Sequence, residues 1–172
     1  MKKSLFALLL LAFAADFLVQ FPARVVAGPA EDVQAAMQLL KSKAATLGAP
    51  NANGEEAVAG KIVPALHFGA TKMNNNFVLV DEVQKELGGT ATIFVKSGDE
   101  FVRVATNVKK DDGSRAIGTI LDPKGKAIAA IAKGESYFGE ADILGKPYVT
   151  GYEPIRDASN VIGVYYVGYL KN

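Results

Sequence analysis

The 172-residue sequence predicts an α+β domain, an antiparallel sheet with a long N-terminal helix packed on one face. Three observations lead there. Between Ala30 and Leu47, apolar residues recur at Val33, Ala36, Met37, Leu40 and Ala44, the three-and-four spacing of one helix face. After Gly89 the period becomes that of strands, with β-branched and aromatic runs at ATIFVK, FVRVAT, PYVTGYEPI and VIGVYYVGYL set apart by Gly, Asp, Pro or Asn. Helices therefore gather early and strands late, a segregation that marks α+β chains.

At the N-terminus, Lys2 and Lys3 precede the apolar run Leu5 to Ala15, the charged and apolar regions of a secretory signal. Asp16, Gln20 and Pro22 interrupt that run, which falls short of the roughly 20 apolar residues a membrane-spanning helix needs. Small residues at Val25-Val26-Ala27 suit cleavage, so residues 1–27 are read as a signal peptide and 28–172 as one domain. The expected location is periplasmic or secreted, and an inner-membrane anchor retained from Leu5 is the alternative. Cleavage removes Lys2, Lys3, Arg24 and Asp16 and takes the formal charge from +1 to −1.

The helix that follows carries Glu31 and Asp32 in its first turn, with Lys41 and Lys43 expected in its last and Gly48 as its stop. The stretch APNANGEEAVAGK reads as a loop, and KIVPALHFGATKMNNNF as irregular or weakly extended. Phe77 to Leu87 predicts a second, short helix capped by Asn74 to Asn76 and ended by Gly88-Gly89. SGDE and DASN are turns between neighbouring strands. DPKGKAIAAIAKGE predicts a third helix with Asp122 as cap, Pro123 in the first turn and Gly134 at the end; two or three strands follow.

Composition removes several function classes. An apolar content of 49% closes one core in a chain of this length, leaving no material for a second domain. Nineteen basic against eighteen acidic residues give no field that would gather a nucleic acid. The absence of Cys excludes thiolate catalysis and Cys-based metal sites. The single His67 has no neighbour at metal-ligand spacing and is read as structural. Asp111-Asp112-Gly113 lacks the downstream glutamate of a calcium loop and is read as a turn. No cofactor or metal is expected.

Strand alternation selects candidate site residues. In FVRVAT, Phe101, Arg103 and Ala105 are expected on one face; in PYVTGYEPI, Tyr148, Thr150 and Tyr152 share a face. A guanidinium beside three hydroxyls would suit a carboxylate or phosphate, because its fork binds such groups bidentately. Arg103, Lys109, Lys110 and Arg115 form a local basic cluster on a near-neutral chain, which favours a small anion over a polymer. The competing reading pairs an exposed Arg103 with Asp99 or Asp111 and leaves the lysines solvated. All six tyrosines fall between Tyr137 and Tyr169; Tyr137 stands either at a pocket mouth or on the surface.

Several short pieces occur together and in order: Gly89-Thr90-Ala91-Thr92-Ile93-Phe94, Arg103-Val104-Ala105-Thr106, Asp112-Gly113-Ser114-Arg115-Ala116, Gly118-Thr119, Tyr137-Phe138-Gly139, Gly145-Lys146-Pro147-Tyr148 and Tyr152-Glu153-Pro154-Ile155. With these, roughly residues 60 to 169 resemble the extracytoplasmic single Cache sensor domains of bacterial chemoreceptors and histidine kinases, in particular the Cache 3/Cache 2 fusion group. The resemblance implies a PAS-like antiparallel sheet, the long helix on one face and a small-molecule pocket on the other. It implies ligands such as short organic acids or amino acids, and makes Arg115 a pocket-edge or, preferably, a loop-locking residue. No output module follows Asn172 in the sequence, so the expectation is a sensor-type binding domain without one.

The leading expectation is thus an exported, non-catalytic module for chemotaxis or related signal transduction, binding a small anionic metabolite through Arg103, Tyr148, Thr150, Tyr152, Arg115, Lys109 and Tyr137. The alternative is an interaction protein whose long helix forms a homodimer or docks on a membrane receptor. An enzyme is the weakest reading, since no nucleophile with a placed base is legible.

Overall fold

A computed structural model describes residues 29–171, so the signal peptide read at residues 1–27 lies outside the described residues. The first helix, α1 (Pro29–Leu47), buries the five residues that the spacing selects: Val33, Ala36, Met37, Leu40 and Ala44. Lys41 and Lys43 fall before its last turn, contrary to expectation. They serve tertiary pairing instead of the helix dipole: Lys41 reaches Glu153, and Lys43 reaches Glu82 and Glu86 at 3.0 and 2.9 Å.

The stretch expected to be loop and irregular chain is a sheet. β1 (Pro50–Val58), β2 (Lys61–Phe68) and β3 (Thr71–Lys72) pair antiparallel in that order. β1 hides its character because a register shift between Ala52 and Glu55 breaks the alternation and most of the strand is solvated. β2 contributes Val63, Leu66 and Phe68 to the core, where the Phe68 ring stacks on Tyr165 at 5.8 Å.

α2 (Val78–Leu87) follows as expected, with Asn76 Oδ1 accepting the Val78 N–H at 3.2 Å and Gly88 ending the helix at φ 74°. The five-stranded sheet consists of β4 (Thr90–Ser97), β5 (Glu100–Thr106), β6 (Tyr137–Ile143), β7 (Lys146–Asp157) and β8 (Asn160–Leu170), all antiparallel, in the order β5-β4-β8-β7-β6. Its central pair brings the first and last strands together at close range. An added Cβ at Gly163 of β8 would overlap the Phe94 carbonyl of β4, so glycine is required there. α3 (Lys126–Ala132) starts later than Asp122 and Pro123 imply. Asp122 Oδ1 accepts the Lys124 N–H at 2.9 Å instead, forming a turn ahead of the helix.

The sheet divides the interior in two. On one side α1, α2 and β2 pack on Ala91, Ile93, Val95, Val104, Tyr165 and Val167. On the other, Phe94, Phe101, Tyr152, Val164 and Tyr166 face α3 and the segment between β5 and α3. One alternation fails. A bulge sets Ile93 opposite Ala105 but Phe94 opposite Arg103, inserting Val104 as an extra residue in β5. Ala105 therefore joins Val102 and Val104 on the helix side, and Arg103 shares the other side with Phe101. Arg103 keeps its expected side and Ala105 does not.

Candidate functional site

The segment after β5 returns along that strand's outer edge. Arg103 N–H donates to Thr119 O at 2.8 Å, Gly118 N–H to Arg103 O at 2.9 Å, and Leu121 N–H to Phe101 O at 2.9 Å. The chain then passes over the sheet through Asp122 to Ala127 and encloses a cavity of about 460 Å³ against β6 and β7. That volume suits a small metabolite. Its inner wall combines Arg103, Tyr152 and Tyr137 with Ile120, Leu121 and Ile143. The exposed Asp122, Lys124, Lys126, Glu140 and Asp142 surround its mouth.

Arg103 is the one buried charged side chain among the described residues. Only 4% of it is exposed, which removes the reading of a solvated surface arginine. Neither Asp99 nor Asp111 pairs with it, and Asp111 instead approaches Lys146 at 3.8 Å. Its Nη1 donates to Thr119 Oγ1 at 2.7 Å and its guanidinium lies 5.1 Å from the Phe94 ring centroid, while Nε is buried without a hydrogen-bond partner among the described residues. Burial holds its pKa below the ordinary arginine value, and the Tyr166 and Tyr152 phenols only partly counter that. Taking a cation out of water costs several kcal/mol unless another charge answers it. An anion in the cavity would answer it.

The other expected site residues separate into groups. Tyr152 lines the same cavity, its ring 5.0 Å from Tyr166 and 6.2 Å from Tyr137. Tyr137 also lines it, and its hydroxyl donates to Glu140 O at 2.8 Å. Thr150 is on the same face of β7 but donates its hydroxyl to Gly139 O at 2.7 Å. Tyr148 and Lys109 line a smaller recess of about 180 Å³, separated from the main cavity by Ile143 and Leu144, which border both. Arg115 stands apart in a bidentate pair with Asp81 of α2 at 2.7 and 2.8 Å, donates to Thr106 O at 2.8 Å and lies 4.4 Å from the Phe77 ring centroid. His67 Nδ1 sits 3.0 Å from Ala65 O within β2.

Arg115 thus joins the segment after β5 to α2. Arg115→Ala is expected to lower stability by about 2 kcal/mol, because it leaves Asp81 and the Thr106 carbonyl unpaired and uncovers Phe77. Lys171→Ala, which breaks an exposed pair with Glu140, is expected to change it by less than about 1 kcal/mol. Urea unfolding of both variants checks the contrast.

The family comparison agrees with this geometry. The family model of the Cache 3/Cache 2 fusion domain matches residues 29–172. The chain belongs to that family. Cache domains are extracytoplasmic sensor domains that bind small-molecule ligands and are generally non-catalytic. The PAS-like α+β architecture is that of this Cache domain as well, with the helix on one face of the sheet and the cavity on the other. No curated protein matches the chain. Among the described residues no helix is long and apolar enough to cross a membrane.

Buried tyrosines on both sides of the sheet give this Cache domain an alkaline weakness. Burial raises the pKa of Tyr152, Tyr165 and Tyr166 well above the ordinary phenol value, most of all Tyr166, where the hydrogen bond with Thr90 Oγ1 at 3.1 Å only partly offsets it. The folded state therefore holds these protons more tightly than the unfolded chain does. Their stabilisation is complete below the unfolded value near pH 10 and declines as pH rises beyond it toward the folded values, by up to about 1.4 kcal/mol per tyrosine and pH unit. Melting temperature should fall as pH rises from about 10 to about 12, and Tyr166→Phe should reduce that fall; an equal fall in the variant would contradict the assignment.

Proposed function

We propose that this Cache domain is an exported, sensor-type binding protein for a small anionic metabolite, a short organic acid or an amino acid, which enters the cavity beside β7. The observation that supports the reading is Arg103, a buried guanidinium with no ion-pair partner among the described residues, on the wall of a metabolite-sized space. Tyr152, whose hydroxyl makes no hydrogen bond among the described residues, and Tyr137 at its side supply the polar and aromatic contacts. Lys109 and Tyr148 belong to the adjoining recess and would act on a ligand that extends past Ile143. Thr150 supports the β6–β7 pairing, and Arg115 holds the cavity's outer segment on α2.

The domain works without catalysis in this reading, in the periplasm or outside the cell, and passes its occupancy to a membrane-bound partner. A homodimer through α1 has less to support it, because the helix spends its apolar stripe on its own sheet.

The test is a thermal-shift screen of short carboxylates and amino acids. A ligand at a hundredfold excess over Kd adds about 2.7 kcal/mol and should raise the melting temperature by roughly 8 °C. Arg103→Ala and Tyr152→Phe should remove or reduce the shift. A broad panel that moves nothing in the wild type would overturn the reading.

A further inference from the structure

Arg103 can present to an anion only the part of its guanidinium that the fold does not use, and one side chain decides which part that is. Thr119 Oγ1 accepts from Arg103 Nη1 at 2.7 Å and donates to Ala116 O at 2.8 Å. A hydroxyl has a single proton, and with that proton directed at Ala116 the oxygen can only accept from the guanidinium. The main chain fixes where this oxygen sits, since residues 118 to 121 run antiparallel beside β5 and bond to Arg103 through both its N–H and its C=O. Gly118, at φ 76°, makes the turn that starts this run.

With Nη1 engaged, Nε and Nη2 remain along one edge of the planar group. Neither has a hydrogen-bond partner among the described residues, and Nε is fully buried. Two parallel N–H groups on one edge match the two oxygens of a carboxylate.

We propose that Thr119 is the positioning residue of the anion site: it turns Arg103 so that the Nε–Nη2 edge meets the ligand's carboxylate. The inference rests on the reading of the cavity as an anion site. A residue that merely staples the 118–121 run to β5 would affect stability but leave the chemistry at Nε unchanged, whereas a positioning residue alters both affinity and the Nε–H environment.

The test uses the 15N-labelled chain, with the Arg103 Nε–H resonance assigned by its loss in Arg103→Met. Acetate, succinate, glutamate and inorganic phosphate are titrated into wild type, Thr119→Val and Thr119→Ser. In the wild type a carboxylate should shift the Nε–H resonance. Thr119→Val should bind about tenfold more weakly, the effect of one misdirected charge-assisted hydrogen bond, with a reduced Nε–H shift. Thr119→Ser, which keeps the acceptor, should stay within about twofold of wild type. Should Thr119→Val fail to fold, Thr119→Ala makes the same comparison with serine. Wild-type affinity and Nε–H shift in Thr119→Val, or serine failing as valine does, would overturn the positioning role while Arg103→Met still abolished binding. Binding unaffected by Arg103→Met, or no response of the wild type to any probe, would overturn the anion-site reading and this inference with it.

Discussion

Replacing Arg103 with Met is expected to abolish ligand-dependent stabilisation and, at the same time, to raise the melting temperature of the ligand-free domain. The two effects share one cause. In the folded state the guanidinium is desolvated, and its compensation comes from one hydrogen bond to the uncharged Thr119 hydroxyl, the face of Phe94 and the weaker influence of the Tyr166 and Tyr152 phenols. Such contacts contribute about 1 to 3 kcal/mol together, less than the several kcal/mol that burial of an unanswered charge costs. Methionine has similar reach, suits the apolar wall of Phe94, Phe101 and Leu121, and brings no charge. The ligand-free variant should gain about 1 kcal/mol, a few degrees in melting temperature, while the shift with any carboxylate disappears. A variant less stable than wild type and still responsive to ligand would show that Arg103 serves the fold and not the site.

The largest loss of stability is expected from Leu40→Ala. Leu40 is completely buried at the centre of the α1 stripe, in the same cluster as Met37, Ala44, Ile93 and Val167. Truncation removes the transfer free energy of the side chain and leaves a cavity between helix and sheet, together about 3 kcal/mol. For a domain of this size that corresponds to a drop of roughly 10 °C in melting temperature. Gln38→Ala, on the exposed side of the same helix, is expected to change stability by less than about 0.5 kcal/mol. Comparable effects at the two positions would mean that α1 does not pack on the sheet along this stripe.

What could be read from the sequence follows from how regularly each segment repeats. The buried stripe of α1 was legible because five apolar residues keep helical spacing without interruption, although Lys41 and Lys43 fall before its last turn. β4, β5, β7 and β8 were legible because β-branched and aromatic residues dominate them. β1 was not: PNANGEEAV is polar, contains a bulge and lies largely in solvent, so neither composition nor alternation marks it. The face of Arg103 follows from alternation, and that of Ala105 does not, because the bulge at Val104 reverses the pattern between them. Arg103 and Tyr152 stood out by strand alternation and Tyr137 as a residue at a pocket mouth or on the surface, and all three line one cavity. Tyr148 looked equivalent to Tyr152 but lies four residues along β7, beyond Ile143 and Leu144. Thr119 and Phe94, the two residues that hold Arg103, appeared only within the pieces that carry the resemblance and not as site residues, because a threonine in a loop and a phenylalanine in a strand carry no signal of their own. The pair Gly118-Thr119 was the available clue, since a glycine there marks the turn that brings the chain back beside β5.

The unanswered guanidinium of Arg103 is proposed to receive the anionic group of a ligand. A crystal structure of the domain with the strongest stabiliser from the carboxylate screen tests this most directly. The expected result is a ligand oxygen at about 2.7 to 3.0 Å from Arg103 Nε, with the ligand's body against Tyr152 and Tyr137. A ligand seated elsewhere on the domain, with Arg103 Nε untouched, would contradict it.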